Sequence, residues 1–166
     1  MVICLTFLCF WQTKRNSLSR IVIFCEYVPK ENISFVDKAY RTSTKKQMRA
    51  IAGLSMGGFH AMQISKEYPN MFDYVGLFSA SARFKGKGES HVYENCEKKI
   101  LKQFAQKPAL YWIAIGKDDF LYDQNQKYRQ FLDSNHCPYI YVESEGGHIW
   151  RNWRNYLCEF VPLLFK

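Results

Sequence analysis

Several classes of protein are excluded by what this 166-residue sequence lacks. It has no repeat, no low-complexity tract and no proline-rich linker, which excludes a solenoid and predicts a single domain. The apolar run in the opening residues MVICLTFLCFWQTKR is too short to span a bilayer. These residues also lack the basic start and the small-residue cleavage site of a secretory signal. We therefore predict a buried strand there and no membrane partner, and the compartment is left open.

Two further absences argue against metal-binding and nucleic-acid-binding classes. The cysteines show no CxxC pair and no paired spacing, so neither a zinc site nor a disulfide framework is predicted. We expect most of the six to be buried thiols: Cys4, Cys9, Cys25, Cys96, Cys137 and Cys158. Lysine and arginine outnumber aspartate and glutamate by 23 to 15, but they are scattered along the chain. A solvated basic surface without a nucleic-acid partner is therefore expected.

The abundant residues predict an α/β fold. Hydrophobic residues make up 48% and aromatic residues 17% of the chain, enough for a packed core. The hydrophobic pattern predicts strands over 49–53, 74–79, 109–116 and 139–144. It predicts one helix that ends at residue 40, one between residues 99 and 109, and three over 56–68, 124–135 and 150–165. A polar loop or lid is expected over 81–99. Strands such as YVGLF are apolar throughout, which is typical of a parallel sheet covered by helices on both faces. The chemistry is then expected at the carboxyl ends of the strands.

The stretch AIAGLSMGGFHAM places Ser55 between Gly53 and Gly57, directly after an apolar run. A G-x-S-x-G turn joins a strand to a helix so tightly that the serine takes a strained backbone conformation, and side chains at the flanking positions would collide. Such a turn can present a nucleophile. The same pattern also fits a tight packing corner or a phosphate cradle, so the serine alone does not decide between these interpretations.

A nucleophilic serine requires a histidine base and a carboxylate that orients it, and in this fold the acid precedes the histidine along the chain. Asp119 follows the apolar strand ALYWIAIG, and His148 follows the next strand, YIYVES. Asp118 and Asp123 compete for the role of the acid. Each candidate alone fits a loop aspartate or a capping histidine, but their joint placement favours a triad with Ser55.

The remaining histidines are expected at the surface. His60 falls on the helix after the serine, where its side chain should point away from the strand ends. His91 and His136 lie in loop-like stretches. Of the three, His91 is a candidate for the rim of a substrate site.

Three longer stretches carry a family resemblance: FVDKAYRT with RAIAGLSMGGFHAM, IGKDDFLYDQNQKYRQFL, and EGGHIWRNWRNYLCEFVPLLF. They resemble the helix and nucleophile elbow, the acid segment and the histidine segment of the esterase D-like esterases, and within them of the feruloyl-esterase-type carbohydrate esterases. The resemblance covers residues 31–166 and implies an α/β-hydrolase fold without a metal or an organic cofactor. It makes Ser55 the nucleophile, His148 the general base and Asp119 the orienting acid, with the N–H of Met56 donating to the oxyanion.

The front of the chain departs from that family's pattern. Members of that family have several strands before the nucleophile elbow, and a loop with a His-Gly pair supplies the second oxyanion donor. Here only 54 residues precede Ser55, and they contain no His-Gly pair. We expect residues 1–30 to be an atypical segment with one or two strands, VICLTFLCF and RIVIF, ahead of an α/β-hydrolase catalytic region over 31–166. The mostly parallel sheet, flanked by helices, would then have its first strands missing or replaced. Slow turnover and self-association through an exposed sheet edge are expected to follow.

Two functions from different classes fit these observations. The first is a serine carboxylic ester hydrolase that acts through an acyl-enzyme on a small-molecule or carbohydrate ester, such as a feruloyl or acetyl ester of xylan in plant cell walls. The second is a truncated, catalytically impaired remnant that binds sugar or a partner chain through Trp150, Trp153 and the basic loop. Tryptophans at helical spacing usually anchor a terminal helix on the sheet, but Trp150 is also a candidate for the substrate rim.

Overall fold

The computed structural model describes residues 2–5, 25, 27–84 and 93–166. Its centre is a five-stranded sheet in which every neighbouring pair of strands is parallel. The strands lie side by side in chain order: β1 Val2–Leu5, β2 Arg49–Leu54, β3 Tyr74–Phe78, β4 Leu110–Gly116 and β5 Ile140–Ser144. The predicted mostly parallel sheet flanked by helices is confirmed.

Five α-helices are described. They are α1 Ser34–Ala39, which continues a π-helical segment Val28–Ile33, then α2 Met56–Glu67, α3 Cys96–Ala105, α4 Tyr122–Ser134 and α5 Trp150–Phe160. Most of their bounds and those of the strands lie within two residues of the prediction. Across the described ranges, no helix is both long enough and apolar enough to cross a membrane.

Two predicted bounds are wrong. The helix α3 begins at Cys96, so the loop expected over 81–99 ends earlier, and the middle of that loop lies outside the described residues. The closing helix ends at Phe160 and the chain continues as a 3₁₀ turn over Val161–Leu163. Pro162 accounts for this ending, because it has no N–H for a further helical hydrogen bond.

The strand β1 covers one flank of β2, with Leu5 opposite Ala52. The strand expected in VICLTFLCF is therefore present over Val2–Leu5, and Ala50, Ile51 and Ala52 are at most 3% exposed. The other expected front strand, RIVIF, lies outside the described residues. At the far side of the sheet, β5 has no further strand beside it in the described part of the chain. Self-association through a sheet edge stays a prediction.

Apolar side chains on the two faces of the sheet form two cores. On one face Val75, Leu77 and Ile113 pack with residues of α2, α3 and α4. On the other face Phe78 and Trp112 pack edge to face, with their ring centroids 5.3 Å apart, and belong to the core that includes α5. Because helices cover both faces, strand ends are the open places for a functional site.

Candidate active site

The three predicted triad residues follow three different strands. Ser55 directly follows β2, Asp119 lies three residues after the end of β4, and His148 lies four residues after the end of β5. Because all the strands are parallel, their carboxyl ends meet at one edge of the sheet. This edge is where ligands bind in open α/β sheets.

Ser55 has a strained backbone conformation, with φ 56° and ψ −114°. Backbone hydrogen bonds hold it: its N–H donates to the carbonyl of Phe78 at 2.9 Å, and its carbonyl accepts from the N–H groups of Phe59 and Ser81, each at 3.1 Å. A conformation of this kind costs roughly 1–3 kcal/mol and persists only where the surroundings fix it. The turn has the strained form that the G-x-S-x-G pattern predicts.

Close packing around this turn requires glycine at two positions. A Cβ atom on Gly53 would lie 2.1 Å from the carbonyl oxygen of Gly57, which no side chain can tolerate. A Cβ atom on Gly58 would lie 2.5 Å from the Cβ of Ala80, in the loop after β3. The first requirement was predicted from the motif. The second was missed, although the doubled glycine in SMGGF was its signal.

The helix α2 begins at Met56, immediately after the serine. The first N–H groups of a helix have no acceptor within the helix. The N–H of Met56 therefore lies beside Ser55 without an acceptor in the helix, and the partial positive charge of the helix N-terminus favours a negative group there.

Asp119 is 4% exposed, and each of its two carboxylate oxygens has a hydrogen-bond partner. One of its oxygens, Oδ2, lies 2.8 Å from Nδ1 of His148, and the other, Oδ1, accepts the N–H of Leu121 at 2.9 Å. Burial raises the pKa of Asp119, but the hydrogen bonds from His148 and Leu121 outweigh burial, and the pKa lies below its ordinary value. Both competing acids, Asp118 and Asp123, are exposed.

The His148 ring is held between two aromatic side chains. Its centroid lies 4.7 Å from that of Phe120 and 4.9 Å from that of Trp153. When Nδ1–H donates to Asp119, Nε2 of the neutral ring is the acceptor. Within the part of the chain that the structure describes, no hydrogen bond joins His148 to Ser55 Oγ. Contacts between base and nucleophile are often long in a resting site and shorten when substrate binds.

Asn125 connects the loop that carries Asp119 to the loop after β3. Its side chain is fully buried, and Nδ2 donates to the carbonyls of Ala80 at 2.8 Å and Leu121 at 3.0 Å. Because Ala80 packs against Gly58, this one amide connects the surroundings of Asp119 with the helix that follows the serine. This role of Asn125 could not be predicted, because an asparagine in an amphipathic helix usually faces water.

Exposed apolar side chains surround the site. They are Met56 at 44%, Phe120 at 74%, Ile149 at 42% and Trp150 at 71% exposure. Each is a direct or next neighbour in sequence of a triad candidate. The prediction that two tryptophans anchor the closing helix holds only for Trp153, which packs against the second core. The ring centroids of Trp150 and Trp153 lie 5.3 Å apart, and Trp150 otherwise faces solvent.

The prediction that His60 lies at the surface is wrong: it is 7% exposed. All residues of α2 from Gly57 to Lys66 are buried, because the helix is covered on the side away from the sheet as well. Burial lowers the pKa of His60 to about 4. His136 is exposed, as expected, and His91 lies outside the described residues.

Most cysteines of known burial are buried thiols, as predicted. Cys25, Cys96 and Cys137 are buried and Cys158 is exposed, and Cys96, Cys137 and Cys158 are free thiols. In the described residues, no group of histidine, cysteine, aspartate and glutamate side chains has the arrangement of a metal site.

Most of this chain is similar in sequence to known proteins. A family model described as "Putative esterase" matches residues 15–164. An acetyl esterase from Caldicellulosiruptor saccharolyticus is 29% identical over 170 residues, which cover 86% of this chain and 64% of that protein. An endo-1,4-beta-xylanase/feruloyl esterase from Xylanibacter ruminicola is 47% identical over 49 residues, which cover 30% of this chain and 7% of that protein.

Solved structures show the same fold. A ferulic acid esterase superposes with a TM-score of 0.69 at 28% identity, over 82% of this chain and 59% of that one. A ferulic acid esterase from Anaeromyces mucronatus, in complex with ferulic acid, superposes with a TM-score of 0.74 at 20% identity, over 85% of this chain and 53% of that one. The chain thus spans less than two thirds of the length of these proteins.

Proposed function

Because the chain belongs to the esterase family that matches its residues 15–164 and has the α/β-hydrolase fold, we propose that it hydrolyses carboxylic esters. Ser55 is the nucleophile, His148 the general base and Asp119 the acid that orients the base. One observation carries the proposal: the strained serine turn and the hydrogen-bonded Asp119–His148 pair lie at the same sheet edge. A packing corner or a phosphate cradle would not need such a pair.

The reaction proceeds in two halves. Nε2 of His148 takes the proton of Ser55 while Oγ attacks the ester carbonyl carbon, and the carbonyl oxygen becomes an oxyanion. As the tetrahedral intermediate collapses, His148 returns the proton to the departing alcohol and an acyl-serine remains. Water then attacks the acyl carbon with His148 as base, which releases the carboxylic acid and restores the serine.

Asp119 acts through the imidazole of His148. Its lowered pKa keeps the carboxylate ionised at neutral pH, so it fixes the tautomer that leaves Nε2 as acceptor. It also stabilises the imidazolium that forms in each half of the reaction. Its burial lets this charge act across a medium of low polarity.

The N–H of Met56 stabilises the oxyanion in this scheme. Sites of this kind commonly use two donors, and removal of one lowers turnover by about two to three powers of ten. A second donor is not identified among the described residues. If Met56 acts alone, turnover even of activated esters should be slower by that factor than in an enzyme with both donors.

We propose acylated sugars of plant cell walls as the substrate class, as feruloyl or acetyl esters of xylan. This choice is supported by two proteins of similar sequence, an acetyl esterase and an endo-1,4-beta-xylanase/feruloyl esterase. The exposed rings of Phe120 and Trp150 beside the catalytic pair add an aromatic surface on which a phenolic acyl group or a sugar ring can stack.

Hydrolysis of p-nitrophenyl acetate and methyl ferulate by the purified protein tests the proposal. We expect turnover of at least one ester by the wild type and a loss of about a millionfold in kcat, to background, in Ser55→Ala. Ser134→Ala, at the far end of α4, is the matched control and should keep wild-type activity. A folded wild type that hydrolyses neither ester would contradict the proposal and favour a remnant that only binds sugar or a partner chain.

A further inference from the structure

Asn152 lies in the first turn of α5 and is 2% exposed. Its Nδ2 donates two hydrogen bonds, to the carbonyl of Glu145 at 3.0 Å and to the carbonyl of Gly147 at 3.1 Å. These carbonyls lie on either side of Gly146, and Gly147 directly precedes His148. A single buried amide therefore holds the loop that carries the proposed general base.

The orientation of this amide is fixed by its partners. An NH₂ group has two hydrogens and can satisfy two carbonyls at once, whereas the amide oxygen only accepts. Reversal of the Asn152 amide would set its oxygen against two carbonyl oxygens. Aspartate has nearly the same shape but no such donor, so the contact depends on the amide and not on volume.

The same loop packs onto the chain that leads to the acid. Gly146 has a left-handed φ of 81°, and its carbonyl accepts the N–H of Asp118 at 3.1 Å. A Cβ atom on Gly116 would lie 2.0 Å from the carbonyl oxygen of Gly146 and 2.9 Å from Nδ2 of Asn152. The bond of 2.8 Å between His148 and Asp119 thus joins two loops that touch at this point.

From these contacts we infer that Asn152 is a positioning residue, which holds His148 at hydrogen-bonding distance from Asp119 through the Glu145 and Gly147 carbonyls. The inference rests on the proposed role of this pair in ester hydrolysis. A role in anchoring α5 does not explain the contact, because Tyr156 and Phe160 already bury that helix in the second core.

The test compares Asn152→Asp with Asn155→Asp, an exposed position in the same helix that controls for the added charge. In Asn152→Asp we expect kcat for p-nitrophenyl acetate to fall about 10- to 100-fold, since a displacement of about 1 Å can cost a hundredfold. KM should change less than about twofold, because the residue does not touch substrate. Asn155→Asp should match the wild type in both constants.

A second readout does not depend on activity. The proton between Nδ1 of His148 and Asp119 should give a far-downfield proton NMR signal, which is assigned by its loss in Asp119→Asn. We expect this signal to disappear or to exchange rapidly with water in Asn152→Asp and to persist in Asn155→Asp. If Asn152→Asp does not fold, Asn152→Ser, with one donor on a shorter stem, is measured instead and should show the same two losses.

The outcomes separate this inference from the proposed function. A folded Asn152 variant with wild-type kcat and an unchanged downfield signal would overturn the inference and leave the esterase proposal intact. A wild type without esterase activity, whose downfield signal nevertheless depends on Asn152, would overturn the proposed function and keep the positioning role.

Discussion

A substitution at Asp119 can remove the charge of the side chain while it keeps the shape. In Asp119→Asn the side chain keeps its volume, but the amide cannot accept as a carboxylate does and favours the wrong tautomer of His148. We predict that kcat for p-nitrophenyl acetate falls by about three to four powers of ten with little change in KM. Steady-state kinetics check this directly.

The neighbouring aspartate supplies the matched control. Asp118 is exposed, so Asp118→Asn should retain nearly full activity. The opposite result, a large loss in Asp118→Asn and near wild-type rates in Asp119→Asn, would reassign the orienting acid.

At the scale of helices and strands, the sequence allowed the sheet to be predicted because its signals are local. Each inner strand is a short apolar run, and the glycines around Ser55 mark one turn. Asp119 and His148 could be proposed because each follows such a run, and parallel strands bring their carboxyl ends together. Their hydrogen bond follows from the parallel topology of the sheet. That topology can be predicted because strand and helix patterns alternate along the chain.

Contacts between distant elements could not be predicted in this way. His60 was misjudged, and Trp150 was left open between anchoring the helix and lining a substrate rim, because helical spacing does not say how many sides of a helix are covered. Asn125 and Asn152 look like surface residues in the sequence, and only the packing of two loops against their helices shows that each amide satisfies two carbonyls. Buried polar groups of this kind are decided by tertiary structure.

For the whole molecule, the buried His60 predicts a dependence of stability on pH. Its pKa is about 4 in the folded chain against 6.5 as the ordinary value. Between these values the unfolded chain binds more protons, so the free energy of unfolding falls as pH falls from 6.5 towards 4. We predict a loss of about 2 kcal/mol from this group between pH 7 and pH 4.5.

Chemical denaturation of the wild type and of His60→Leu at these two pH values measures the effect. Protonation of carboxylates with a lowered pKa, such as Asp37 and Glu67, also lowers the free energy of unfolding on acidification. The contribution of His60 is therefore the difference in pH dependence between the wild type and His60→Leu. His136→Asn, at an exposed position, is the control. Equal pH dependence in wild type and His60→Leu would show that this histidine does not titrate as its burial implies.

Covalent labelling can show whether Ser55 is an activated nucleophile in the folded chain. A fluorophosphonate reacts with an activated serine oxygen, which displaces fluoride and leaves a stable phosphonyl-serine. We predict one adduct per chain by intact-mass spectrometry, located at Ser55 by peptide mapping and absent from Ser55→Ala. An unlabelled wild type, or an adduct of equal yield in Ser55→Ala, would contradict the account.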